Sequence, residues 1–258
     1  MPAISENFSD LLEPGLRKIF TDQYNQIPEM YQSLYNVNTT DKPYEKDSSV
    51  GAFGDMEVFT GTIGYDEVYQ GYDVKYEFAE FAKGFKVERK LYDDDMYNII
   101  NRKPAGLALA AKRTKEKYAA SLFNDAFTGS GSITISGLTI LTNTEALSLC
   151  NTAHTSTAST TTQGNYGTSA LSATAVEATR ILGAGLKDDR DNLISVTYDT
   201  ILVPRALEET AWVIINTTGK VDSAENNKNF HYGKYKLAVW DSLSDTNNWF
   251  NKMDPIYN

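Results

Sequence analysis

The segment Tyr72-Asp73-Val74-Lys75-Tyr76-Glu77-Phe78 alternates large apolar and charged side chains over seven consecutive positions. A period of two residues is typical of a β-strand with one apolar and one polar face. The pattern returns at Phe85 and Val87, with Glu88 and Arg89 among the charged residues opposite them. Both stretches are therefore predicted to be extended.

Upstream, short strand-like pieces at residues 56–60 and 68–69 are separated by glycines that favour turns. The simplest interpretation is one extended β-hairpin over residues 51–90. Because an isolated two-stranded hairpin is only marginally stable in water, this element needs a partner surface in its own chain or in another copy. The candidate contact residues are Tyr65, Tyr69, Tyr72, Tyr76, Phe78, Glu88 and Arg89.

A long helix is predicted to follow, over residues 91–128. Asp93–Asp95 offers an N-cap with negative charge at the positive end of the helix dipole, and Gly129 lies where a helix ends. Residues 94–128 would extend about 50 Å, which is roughly the diameter of a compact globule of this size, so the sequence favours an elongated subunit. Pro104 is a position at which the helix could kink or divide.

The apolar face of this helix is predicted from its spacing to contain Met96, Ile99, Ile100, Leu107, Ala110, Ala111, Tyr118, Leu122 and Ala126. The charged residues that fall mainly off this face are Lys112, Arg113, Lys115, Glu116 and Lys117.

Residues 1–50 are predicted to form an arm. Leucine, isoleucine and phenylalanine residues between Leu11 and Phe20 follow helical spacing, and Pro14-Gly15 is predicted to break the first turn of that helix. Residues 41–49 are charged and turn-prone. Because the arm carries too little apolar surface to fold alone, it must lie on another surface or be disordered. The first residues lack the pattern of a secretory signal.

The remaining chain is predicted to mix helices and strands, with strands at 132–136, 193–198, 201–203, 237–240 and 249–250. Thr174 and Glu177 fit a capping box for one helix, and Pro204 fits the first position of another. Together with the arm, hairpin and long helix, this order predicts an α+β fold.

Composition excludes several classes of protein. The chain has 258 residues, a formal net charge of −10 and 16 tyrosines. Its longest apolar runs are far shorter than the ~20 residues of a membrane-spanning helix, so no membrane association is expected. A single cysteine excludes an intramolecular disulfide framework. Acidity argues against a sequence-independent nucleic-acid binder. The many tyrosines fit either surfaces that are buried on association or half-buried strand positions in a sheet-rich domain.

Few residues are candidates for catalysis or metal binding. Cys150 and His154 are four residues apart, but the loop around them offers no third ligand and no nearby carboxylate in sequence. His231 is interpreted as a strand-edge residue, and Asp93–Asp95 as a helix cap rather than a cation site. We therefore predict no catalytic, cofactor-binding or metal-binding residue, and no enzyme.

The stretch EFAKGFKVERKLYDDD at residues 80–95 resembles Mu-like major head subunits, the major capsid proteins of tailed bacteriophages and prophages. The resemblance continues in order at residues 101–104, 111–116, 122–127, 149–154, 171–177, 202–204, 207–209 and 245–250.

This resemblance implies the Hong Kong 97-type capsid fold. Residues 1–50 would be its N-terminal arm and 51–90 its extended hairpin, the E-loop, lying over a neighbouring subunit. Residues 91–168 would be the peripheral domain with the spine helix at 91–128, and 169–258 the axial domain and the start of the return to the peripheral sheet.

The implied function is a structural one. Copies would form hexamers and pentamers of an icosahedral head, assembled in the bacterial cytoplasm. The head would enclose double-stranded DNA without sequence-specific contacts to it. Scaffold, portal or decoration proteins are the other implied partners.

Three alternatives remain open from sequence. One is an encapsulin-like nanocompartment shell, which would contain a protein cargo instead of DNA. Another is a carbohydrate-binding or hydrolytic β-rich domain that uses its aromatic residues as sugar platforms. The third is a plain globular domain that does not assemble.

Overall fold

The computed structural model describes residues 9–88, 98–159, 161–219 and 227–253, apart from the side chains of residues 9–13. Two compact units are present, the first formed by Met1–Val37 with Ala79–Ala120 and the second by Asn38–Phe78 with Ser121–Asn258. The predicted mixture of helices and strands is confirmed.

The helices are α1 (Ser9–Gln26), α2 (Ile99–Asn124), α3 (Ala173–Ala184) and α4 (Glu208–Asn216), with short 3-10 turns at Tyr31–Ser33 and Arg205–Leu207. The strands are β1 (Tyr44–Val50), β2 (Gln70–Glu77), β3 (Ser132–Ile135), β4 (Leu138–Asn143), β5 (Thr200–Val203), β6 (Lys236–Val239) and β7 (Phe250–Lys252).

The predicted strand at residues 72–78 is confirmed as β2, which lies inside a four-stranded sheet of order β1-β2-β4-β3. On one side β2 pairs antiparallel with β1, from Tyr44 opposite Glu77 to Val50 opposite Gln70. On the other side it pairs antiparallel with β4. One partner surface that the hairpin needed is therefore β4 of the same chain.

The predicted hairpin over 51–90 differs from the structure in its strands. No strand is assigned at residues 51–69 or 78–88, so the short pieces at 56–60 and 68–69 and the repeat at Phe85 are not strands. Residues 44–50, predicted as the turn-prone end of the arm, instead form β1. Pairing with β2 explains this difference, because cross-strand hydrogen bonds outweigh the weak intrinsic preference of charged residues.

The arm packs on α2 within the first unit. The Met30 backbone N–H donates to Glu116 Oε1 at 2.6 Å, and the Tyr35 hydroxyl donates to the Ala119 carbonyl at 2.6 Å. The expectation that the arm must lie on another surface is confirmed for this part of it. Pro14 lies inside α1, so the predicted break at Pro14-Gly15 is wrong. Pro14 is the sixth residue of α1, so it removes one backbone hydrogen bond, to the carbonyl of residue 10, without ending the helix.

α2 is shorter than predicted. It begins at Ile99 because Asn98 has φ of 56°, which lies outside the right-handed helical region, and it runs continuously through Pro104 to Asn124. The predicted cap at Asp93–Asp95 lies outside the described residues. The exposed positions of Arg113, Lys115 and Lys117 are confirmed.

The placement of Lys112 off the apolar face is wrong. Lys112 continues a buried stripe of α2 with a four-residue spacing, after Ile100, Pro104 and Ala108. Its ammonium lies 2.6 Å from Glu29 Oε1, and both side chains are 8% exposed. Burial opposes ionisation of Glu29, but the bond to Lys112 outweighs it and holds the pKa of that carboxyl below its ordinary value. The Tyr24 ring lies 4.1 Å from the same ammonium.

The second unit has its core around a three-stranded sheet of order β6-β5-β7, parallel between β5 and β6 and antiparallel between β5 and β7. Ile201, Leu202 and Val203 of β5 are fully buried, as the continuous apolar run predicted. The core cluster consists of Leu171, Val176, Ile201, Val203, Ala211, Ile214, Ile215 and Tyr235.

Several boundaries in this unit differ from prediction. α3 is capped by Ser172, whose side chain accepts the Ala175 N–H, and Glu177 pairs with Arg180 instead of closing a capping box. Residues 193–198 form no strand, and Leu193 is exposed. Helix α4 follows Pro204 only after a 3-10 turn, with its predicted apolar residues Ala211, Ile214 and Ile215 buried.

His231 is buried, not at a strand edge. It is 5% exposed and lies between the rings of Phe230 and Tyr235, with centroid distances of 5.5 and 5.9 Å. The preceding Asn229 donates to the Ile214 and Thr217 carbonyls at the end of α4. Burial lowers the pKa of His231, and the nearby Glu177 carboxylate offsets this only in part.

We expect Glu29→Gln to lower the free energy of unfolding by about 3 kcal/mol, because it leaves the Lys112 ammonium buried without its counter-ion. Urea denaturation of unassembled subunits measures this. Glu45→Gln is the matched control, since it breaks the exposed pair with Lys42 and should leave the midpoint unchanged. Equal midpoints for the two variants would contradict the assignment.

We expect stability to fall as the pH drops below about 6.5, because the unfolded chain binds a proton at His231 more readily than the folded chain does. The contribution is complete above the ordinary pKa of histidine and is lost as the pH falls through the lower, folded pKa. His231→Gln should remove this loss in unfolding midpoints measured between about pH 7.5 and 5.5, whereas His154→Gln should retain it. Parallel profiles for wild type and His231→Gln would rule the prediction out.

Candidate assembly surface

The loop that joins β1 to β2, residues 51–69, exposes an unusual number of large apolar side chains. Met56 is 102% exposed and Tyr65 is 94% exposed. The other large apolar residues exposed in this loop are Phe53, Val58, Phe59, Ile63, Val68 and Tyr69. Contiguous exposed apolar surface on a monomeric protein marks a site of interaction.

The charges of the β1–β2 loop have one sign. Between Lys46 and Lys75 the sequence contains no lysine or arginine. The carboxylates within the loop are Asp55, Glu57, Asp66 and Glu67. A complementary partner is therefore both apolar and basic.

The two ends of the β1–β2 loop are held together at their base. Gly51 N–H donates to the Tyr69 carbonyl at 2.7 Å, and Gly54 N–H donates to Asp66 Oδ2 at 2.6 Å. The backbone N–H of Gly54, followed by the Arg190 guanidinium, holds the pKa of Asp66 below its ordinary value. These contacts leave the middle of the loop exposed.

The predicted contact residues fall into three groups. Tyr65 and Tyr69 are exposed on the β1–β2 loop, and Tyr76, Phe78 and Glu88 are exposed outside it. Tyr72 is half-buried, and its hydroxyl lies 2.8 Å from Thr155 Oγ1 in the same unit. Arg89 lies outside the described residues.

Sequence reasoning missed most of the exposed apolar residues of the loop. Phe53, Met56, Val58, Phe59 and Ile63 were not among the predicted contact residues. The signal available for them was the combination of large apolar residues with repeated glycines and no basic residue in one segment.

A second surface lies on α2, in the other unit. The helix contains six lysines and arginines and a single acidic residue, Glu116. Positions spaced by three or four residues share one face of a helix. The exposed residues on one such face, which we name the α2 stripe, are Arg102, Gly106, Leu109, Arg113 and Lys117. The stripe is thus basic, with the half-exposed Leu109 at its centre.

Cys150 and His154 lie in different surroundings. Burial raises the pKa of Cys150 to about 11, so the thiol stays protonated and is a poor nucleophile near neutral pH. His154 contacts a carboxylate after all, because Glu145 Oε2 lies 3.0 Å from its Nδ1. Sequence missed this contact since the two residues meet only when the loop folds. Glu145 also accepts the Thr155 N–H, which gives the pair a role in holding the loop.

Within the described ranges, no group of three histidine, cysteine, aspartate or glutamate side chains is placed to hold a metal ion. Over those same residues, no helix is long and apolar enough to cross a membrane.

Two solved structures share this fold. One is the procapsid of bacteriophage JBD30, with 14% sequence identity and a TM-score of 0.60 over 92% of this chain and 100% of that chain. The other is the capsid of bacteriophage JBD30 decorated with minor capsid protein trimers, with 11% identity and a TM-score of 0.53 over 85% of this chain and 92% of that chain.

No curated protein matches the sequence. A family model described as phage capsid protein matches residues 71–256, which is more than half of the chain. The match includes β2 from Gly71 onward, α2 and the core cluster around β5, and it agrees with the fold shared with the two capsid structures. The chain therefore belongs to the phage capsid protein family, and its function is that of a structural major capsid protein.

Proposed function

We propose that the chain is the repeating subunit of an icosahedral phage head that encloses double-stranded DNA, and that the β1–β2 loop is the surface through which copies join. The observation that carries this proposal is the exposure of eight large apolar side chains in that loop. Burying them between copies would contribute on the order of 10 kcal/mol before the cost of ordering the loop.

The finer assignment is the Hong Kong 97-type fold in its Mu-like form, with hexamers and pentamers as building blocks. In this assignment the β1–β2 loop is the extended hairpin, α2 is the spine helix, α1 and the following residues to Val37 are the arm, and the unit around β5 includes the axial domain. The similarity to two capsid structures and the order of the elements support it.

The partners follow from this assignment. A decoration protein is proposed because one similar structure is a capsid decorated with minor capsid protein trimers. Scaffold and portal proteins are proposed from the phage-head assignment alone. Assembly takes place in the host cytoplasm, and the finished location is the virion capsid. The shell encloses packaged DNA without sequence-specific contacts, and the chain carries out no enzymatic reaction. Electron microscopy and nuclease-protection assays distinguish a DNA-filled head from a shell with protein cargo.

The α2 stripe is proposed as the surface that receives the β1–β2 loop of the next copy. Arg102, Arg113 and Lys117 complement the carboxylates of the loop, and Leu109 complements its apolar side chains. This partner accounts for both properties of the stripe, whereas a nucleic acid would match only its charge.

We expect the triple variant Phe59→Ser, Ile63→Ser, Tyr65→Ser to remain an unassembled subunit with a wild-type unfolding midpoint. Sedimentation velocity and negative-stain microscopy measure assembly. The matched control is Thr60→Ser, Thr62→Ser, which changes the same loop without removing apolar surface. Deleting residues 61–71 would also remove Asp66 and the start of β2. Substitution is therefore the cleaner test. Closed particles at normal yield from the triple variant would refute the loop's role.

We expect Arg113→Glu with Lys117→Glu to impair assembly strongly, because the stripe then repels the acidic loop. Adding Asp55→Lys and Glu57→Lys to the same chain should restore particles. Lys42→Glu with Lys228→Glu changes the net charge equally and should leave assembly intact. Particle yield by gradient sedimentation is the readout, and normal yield without the compensating changes would disprove the pairing.

A further inference from the structure

The base of the β1–β2 loop is attached to the turn at residues 188–192 of the same unit. Arg190 Nη2 donates to Asp66 Oδ1 at 2.8 Å and also to the Glu67 carbonyl. The guanidinium carbon lies 5.4 Å from the centroid of the Tyr69 ring. One arginine therefore contacts three residues of the loop's returning segment.

The outgoing segment of the loop is attached to the same turn. Ala52 N–H donates to Asp189 Oδ1 at 2.9 Å. A Cβ added to Gly51 would overlap the Asp189 carboxylate, so this close approach requires glycine. Asp66 links the two segments, because one of its oxygens accepts from Gly54 and the other from Arg190.

The turn at residues 188–192 is also held by hydrogen bonds of its own. Asp188 Oδ1 accepts the backbone N–H of both Arg190 and Asn192 at 2.8 Å. Asp188 N–H donates in turn to the Asn192 carbonyl at 2.8 Å. The Arg190 side chain is 23% exposed, so it projects from a rigid turn in a partly desolvated position.

The contacts between the loop and the 188–192 turn lower the conformational entropy of the loop in the free subunit. Ordering each residue of a flexible segment costs about 1–2 kcal/mol at room temperature, and the 19 residues of this loop contain no strand of their own. A contact that orders the loop in the free subunit lowers the cost that remains when a second copy binds it. Preorganisation of this kind strengthens association without adding any contact between copies.

We propose that Arg190 is a positioning residue for assembly, which holds the β1–β2 loop against the 188–192 turn so that its apolar side chains are presented to the next copy. The proposal rests on the proposed function of the loop. Arg190 itself does not need to touch the neighbouring copy, because it acts through Asp66, Glu67 and Tyr69.

The test compares Arg190→Ala and Asp66→Asn with wild type in three measurements. Hydrogen exchange of amides 51–69 in unassembled subunits should become faster in both variants. The critical concentration for assembly should rise about threefold, as expected for losing one partly exposed ion pair. The unfolding midpoint should fall by no more than the loss of one partly exposed ion pair accounts for, which separates positioning from a general structural role.

Two further variants complete the design. Arg190→Lys, which keeps a positive charge beside Asp66, should assemble at a lower critical concentration than Arg190→Ala. Arg180→Ala is the matched control, since it breaks the exposed Arg180–Glu177 pair away from the loop and should leave assembly unchanged.

A wild-type or lower critical concentration for Arg190→Ala would overturn the positioning role, as would unchanged exchange in the loop. In that case the proposed function still stands if the triple serine variant of the loop remains unassembled. If that variant also forms normal particles, both proposals fail.

Discussion

The pairing of β1 with β2 is the constraint on which the rest of the molecule depends. Val50 and Gln70 face each other across this ladder, so the 19 residues between them leave and return at one point. β2 is further held by β4, which makes the roots of the loop part of a four-stranded sheet. The two ends of the loop are fixed, and the loop contains no strand. Its large apolar side chains are exposed, so burying them requires another surface.

A second constraint lies in α2. Its buried stripe is not uniformly apolar, because Lys112 occupies a core position and is neutralised there by Glu29. Removing either partner would leave a buried charge, so we expect the pair to favour the position of the arm in which Glu29 meets Lys112. The opposite side of α2 carries the basic stripe that we assign to the neighbouring copy.

The candidate site could be predicted only in part from the sequence. Tyr65 and Tyr69 were identified because tyrosine is frequent at interfaces, and both are exposed. Met56 and Phe59 were missed, because an exposed apolar residue and a buried strand residue look alike in sequence. The contact between Arg190 and Asp66 could not be predicted from the sequence either, since the two residues are 124 positions apart in the chain.

What the sequence determined by itself is the set of local elements. Alternation at residues 72–78 specified β2, helical spacing specified α2, and the continuous apolar run at 201–203 specified the buried strand β5, because these patterns follow from backbone geometry. Tertiary structure alone decided that residues 44–50 form a strand, that Lys112 is buried and that Glu145 meets His154. Each of these depends on a partner distant in the chain, and the partner's hydrogen bonds or charge outweigh the local preference of the residue.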